Sequence, residues 1–213
     1  MTNWLVISYR VPTEPSALRV ASWRALKGAG AVKLGDGVYF LPQTPACEKA
    51  LEELAGRIRA GGGSVLTMAA DGLGANDEAF LRAAFDEARA DEFGQVARSC
   101  LKLIDHIARE EATDDYRYAE VDTLEEELEK VRRHFQRAVD RDHLGSPARE
   151  PAAAAVSDAG QRLRTYVDEA FRHENGLPER QASESRTVRA VVPAGPAGPN
   201  GTSVVAAPLR SRN

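Results

Sequence analysis

The sequence predicts an α+β fold in three consecutive regions. A βαββαβ domain spans residues 1–74, a helical hairpin spans 75–144, and a weak helix with a flexible Ala/Pro/Arg-rich tail spans 145–213. Three observations carry this reading. Short β-rich apolar runs alternate with amphipathic stretches in the first third. Apolar residues at alternating spacings of three and four dominate the middle. Large apolar residues thin out in the last third, which holds PAGPAGPNG at Pro193–Gly201, a composition that does not build a packed core.

The elements of the first region follow in order. Trp4-Leu5-Val6-Ile7-Ser8-Tyr9 is a strand, stopped by Pro12. Thr13-Glu14-Pro15-Ser16 reads as a turn and helix cap. Leu18, Ala21, Ser22, Ala25 and Ala29 share the apolar face of the helix that follows, and Gly28 and Gly30 end it. Val32–Leu34 and Val38–Leu41 flank Gly35-Asp36-Gly37, and Asp-Gly between two short apolar runs is a strong hairpin signal. Thr44, with Glu48 behind it, starts a second helix whose stripe is Cys47, Leu51, Leu54, Ala55 and Ile58. Gly61-Gly62-Gly63 stops that helix, and Ser64–Ala69 is the last strand. This order is the ferredoxin-like split βαβ pattern, with helices on one sheet face and the other face bare unless something covers it.

The middle region is helical. Phe80, Leu81, Ala84, Phe85 and Ala88 begin an amphipathic stretch that Phe93, Val96, Ala97, Cys100, Leu101, Ile104 and Ile107 continue past Gly94. After a polar break at Thr113-Asp114-Asp115, Asp122 to Glu126 reads as a cap and capping box. Val121, Leu124, Leu128, Val131, Phe135 and Ala138 then form a coiled-coil-like seam, able to pack internally or to pair with a second chain. Residues 75–144 hold nineteen Asp/Glu against eleven Lys/Arg, so the outside of this hairpin is acidic. In the last region, Val156 to Arg172 is a weak helix with Leu163, Tyr166, Val167 and Phe171 partly on one face.

Composition excludes several function classes. The net charge of −4 gives no global basic field for nucleic acid, so any anion site is a local patch. No stretch approaches the ~20 apolar residues of a membrane helix, and the N-terminal apolar run is too short for a signal peptide. A soluble cytoplasmic protein with no membrane partner is therefore expected. The nucleotide and hydrolase motifs GxGxxG, GxxxxGK[ST] and GxSxG are absent. His106, His134, His143 and His173 do not stand at metal-ligand spacing with a second ligand pair, and Glu125-Glu126-Glu127 reads as a solvated face. Cys47 and Cys100 fall on apolar helix faces and read as buried, inert thiols. No cofactor, metal or catalytic residue is expected.

One surface stands out. Arg19, Trp23 and Lys27 line up on the outer face of the first helix at i, i+4 and i+8, beside Val20 and Arg24, with Arg10 at the end of the first strand as a further cation. Two readings stay open. Trp23 marks a contact with the hairpin or a partner subunit, bordered by cations. Alternatively, Arg10, Arg19, Arg24 and Lys27 bind an oxyanion or nucleic acid, with Trp23 as a flat wall.

The run WLVISYRVPTEPSALRVASWRALKGAGAVKLGDGVYFLP resembles the N-terminal domain of the ChrB family of chromate-resistance proteins. Pro12 after the strand, Trp23–Lys27 in the helix, and the hairpin Gly35–Pro42 carry the resemblance. It continues from Ala119-Glu120-Val121 to Arg132-Arg133-His134-Phe135, and so covers Asn3 to Asp142, about two thirds of the chain by loose motif matching. It implies a non-enzymatic, chromate-responsive transcriptional regulator or an accessory protein of that stress response, homodimeric, with DNA or the chromate oxyanion as partners. The alternative is a dimerisation or assembly module that binds neither. The tail stands where many members of that family carry a second domain, which narrows the expected function if sensing or DNA binding resides there. The strand-and-hairpin pattern is also distantly similar to the middle domain of PaaX-type repressors and to Cas2-like nucleases. The former act with a winged helix ahead of the first strand, which is not seen here. The latter need a carboxylate at the end of that strand, where this chain has Ser8-Tyr9-Arg10, so nuclease activity is not expected.

Overall fold

A computed structural model of the chain describes residues 2–14, 16–71, 74–113 and 118–177. The tail expected to be flexible lies, beyond residue 177, outside the described residues. The first region forms β1 (Trp4–Arg10), α1 (Ser16–Gly28), β2 (Val32–Gly35), β3 (Val38–Pro42), α2 (Pro45–Ala60) and β4 (Ser64–Ala70). The strands make one antiparallel sheet in the order β2-β3-β1-β4, the ferredoxin-like arrangement with β1 and β3 central.

Alternation along β1 sends its side chains to two cores. Leu5 and Ile7 face α1 and α2 and pack with Leu26, Leu41, Leu51, Leu54 and Ile58. Trp4 faces the other way, its ring centroid 5.3 Å from that of Phe85 and its indole Nε1 donating to Glu78 Oε2 at 2.8 Å. Phe85 and Glu78 belong to α3 (Ala75–Thr113), whose first turns cover part of the second sheet face together with Val32 and Leu81. Beyond that cover, Met68 beside Val6 and Leu66 beside Ser8 stay exposed on the same face.

On α1 the buried positions are Ser22 and Leu26, whereas Ala21 is exposed. The apolar stripe is thus centred nearer Leu26 than the sequence reading places it. A leucine contributes far more buried area than an alanine, and the helix rotates to bury it. Thr44 caps α2 as expected, its Oγ1 accepting from the Cys47 N–H at 3.2 Å with Pro45 in the first turn.

At 39 residues, α3 is about 58 Å long at 1.5 Å per residue. It pairs with α4 (Tyr118–Asp140) and α5 (Arg149–Glu174) in a three-helix bundle. The capping box read at Asp122 is corrected by the structure: α4 already runs through it from Tyr118, so Asp122 sits inside the helix. The seam residues Val121, Leu124, Leu128 and Val131 are buried within the chain against Val96, Cys100, Leu103 and Ile107 of α3. Helix α5 completes that core with Ala159, Leu163, Tyr166 and Ala170. Its small residues let the helix backbones approach closely, which explains how a stretch poor in large apolar residues becomes a packed helix.

Candidate functional site

Helix α1 contains no acidic residue, so its outer cations meet no carboxylate on their own element. Arg19, Trp23, Arg24 and Lys27 are all exposed, with Trp23 at 50% of its free surface. Lys27 Nζ stands 5.5 Å from the centroid of the Trp23 ring, a cation–π contact worth about 0.5–1 kcal/mol at an exposed site. Arg19 turns back to donate from Nη2 to the Thr13 carbonyl at 2.7 Å, which ties the helix to the loop before it. Arg10 ends β1 opposite Ser64 and lines a separate open groove with Ser8, Tyr9, Val65 and Leu66. Its groove contains no α1 residue, so the sequence group divides into the α1 face and a sheet-end groove.

The α1 face continues onto the bundle. His134 of α4 is held below the usual imidazole range, first by burial and then by the charges of Arg137, Arg141 and Lys27, with Glu92 opposing them. Lys27 at the end of α1 is thus near enough to act on His134 of α4. Planar guanidinium and ammonium donors next to an aromatic wall suit an oxyanion or an acidic protein surface.

Behind that face is a junction that the sequence reading missed. Gly30 follows α1 at φ +79°. Arg89 of α3, only 5% exposed, donates from Nη1 to the Arg141 carbonyl at 2.9 Å and pairs with Glu92 at 3.4 Å. Arg141 Nη1 reaches the same Glu92 oxygen at 3.2 Å. His143, from the loop between α4 and α5, donates from Nε2 to the Ala29 carbonyl at 2.9 Å and lies 3.5 Å from Cys47 Sγ. A carbonyl oxygen only accepts, so Nε2 carries the proton and the sulfur is a second acceptor. Burial alone would push the Cys47 thiol up, but the hydrogen bonds from His143 and Thr44 outweigh it and hold it below the usual thiol range. His143 is correspondingly raised by Cys47, against its own burial and with help from Ala29. Cys47 is thus buried and also polarised, unlike Cys100 in the bundle core, whose thiol burial pushes up. Ninety-six positions separate Cys47 from His143, and no local spacing announces the pair.

No helix among the described residues is long and apolar enough to cross a membrane. In comparisons with known proteins, the family described as "Protein ChrB, N-terminal" matches residues 19–177. A protein named Protein ChrB from Cupriavidus metallidurans is 34% identical over 94 residues. That alignment covers 44% of this chain and 28% of the relative, so the chain spans well under two thirds of that protein's length. No solved structure matches the chain.

Proposed function

Because the chain belongs to the ChrB N-terminal family, we propose that it serves chromate resistance as a regulatory or accessory protein, responding to chromate without catalysing a reaction. The observation that carries this reading is the outer face of α1, where exposed Arg19, Arg24 and Lys27 accompany half-exposed Trp23 and Lys27 lies over its ring. Chromate is a dianion shaped like sulfate, and Arg24 and Lys27 supply hydrogen-bonding cations with no carboxylate on their helix. Arg19 is partly engaged with Thr13, so Arg24 and Lys27 are the better test. In a chromate-dependent promoter assay, Arg24→Ala/Lys27→Ala loses the chromate response while its far-ultraviolet circular dichroism is unchanged. A wild-type response from a folded double variant would remove the site from α1.

The exposure of Trp23 favours a second reading, an assembly module that docks a partner protein through this face. That reading predicts a partner recovered by pulldown equally with and without chromate, and lost with Trp23→Ala. Homodimerisation is proposed through the sheet face carrying Leu66 and Met68, since the α4 seam is used within the chain.

A further inference from the structure

The bundle gathers a second group of side chains, remote in sequence from the α1 face. His106 and Glu110 sit one turn apart on α3, and Glu120 comes from the first turn of α4. One ligand atom from each lies within 4.8 Å of the other two, and all three residues are partly buried. A fourth residue, Glu127 of α4, places its Oε2 3.2 Å from His106 Nδ1. With a carboxylate at that distance, Nδ1 carries the proton and donates it. The lone pair of the neutral ring is then on Nε2, the nitrogen 3.7 Å from Glu110 Oε1. That nitrogen faces the same side as the carboxylates of Glu110 and Glu120, so the three donor atoms converge.

We propose that His106, Glu110 and Glu120 bind a divalent first-row transition cation, with Glu127 as a positioning residue that fixes the imidazole. Two features of the chemistry agree. Bonds of about 2.0–2.2 Å to nitrogen and oxygen put neighbouring ligand atoms roughly 3.4 Å apart in a tetrahedron, close to the 3.7 Å between Nε2 and Glu110. A carboxylate on the far ring nitrogen is the usual second partner of a metal-bound histidine, where it holds the ring and raises its basicity. The imidazole selects against magnesium and calcium and leaves the divalent first-row ions from manganese to zinc. Three protein ligands leave a coordination position for water. The ion would tie α3 to α4 near the end of the hairpin joined by residues 114–117, so its occupancy stiffens the bundle whether or not the α1 face responds to chromate.

The test uses the full chain freed of metal by chelation and titrated with zinc chloride or manganese chloride in a calorimeter. The expected result is one ion per chain, an affinity loss of more than tenfold in both His106→Ala and Glu120→Gln, and about a tenfold loss in Glu127→Gln with unchanged stoichiometry. His173→Gln, outside the group, serves as control and binds like wild type. If a variant fails to fold, cobalt(II) added to the wild type gives a second measurement. An intense visible d–d spectrum of a four- or five-coordinate ion, abolished by zinc, supports the site. Absence of binding by wild type, a weak octahedral cobalt spectrum, or equal affinity in His106→Ala would overturn it.

Discussion

Gly30→Ala tests whether the sheet domain and the bundle are locked together as described. At φ +79°, an alanine there adopts the left-handed region, at about 1–2 kcal/mol. Its Cβ would also lie 2.8 Å from the Arg141 carbonyl oxygen and 3.1 Å from both Arg141 Cβ and Arg89 Nη1. Two of those atoms form the 2.9 Å hydrogen bond of the buried Arg89 guanidinium, so relieving the clash stretches or breaks that bond. A hydrogen bond to a charged group contributes about 1.5–3 kcal/mol. The combined loss is about 2.5–5 kcal/mol. Gly145→Ala is the internal control, because Gly145 has nearly the same φ, +77°, but nothing within 4 Å of the added carbon. It should lose only the backbone part, about 1–2 kcal/mol. Urea unfolding of wild type and both variants, followed by circular dichroism, gives the two differences from the midpoints at constant slope. Equal losses at the two glycines would refute the close packing of α1's end against Arg89 and Arg141.

Other consequences are as specific. His143 is raised above its usual 6.5 in the fold, so its contribution to stability is complete below 6.5 and is lost as pH rises through the folded value. Wild-type stability should therefore fall over that window, and His143→Gln should flatten the fall; Cys47→Ser should bring the His143 titration, read by proton NMR, back toward 6.5. Trp4 is fully buried and Trp23 half exposed among cations, so iodide should quench the fluorescence more strongly than caesium, and Trp23→Phe should abolish the difference. Leu124→Ala, at a fully buried bundle position, should cost about 2–5 kcal/mol in the same urea assay; a loss under 1 kcal/mol would contradict the internal use of the seam.

The first region was legible because its signals are local. Val38–Leu41 is bounded by Asp36-Gly37 and Pro42, and the hairpin falls there. The outward position of Arg19, Trp23, Arg24 and Lys27 follows from helical period alone. Other features depend on packing between distant elements. Helix α5 buries Ala152, Ala159, Gly160 and Ala170, residues whose small size lowers any hydrophobic signal while permitting close approach. The start of α4 at Tyr118 precedes the cap-like residues at Asp122, since burial of Val121 favours extending the helix past a local alternative. Cys47 meets His143 only through the tertiary fold. His106 and Glu110 do stand at i, i+4 on one helix, a spacing that hints at ligands, but Glu120 and Glu127 join them only when α4 folds back.

In the proposed function the α1 face, and not the chain in general, carries the chromate response. Growth of a chromate-sensitive host across a chromate gradient, with the wild-type chain or Arg24→Ala/Lys27→Ala expressed to the same level, tests it most directly. Wild type should raise the tolerated chromate concentration, and the folded double variant should not. Full protection by the double variant would contradict that assignment.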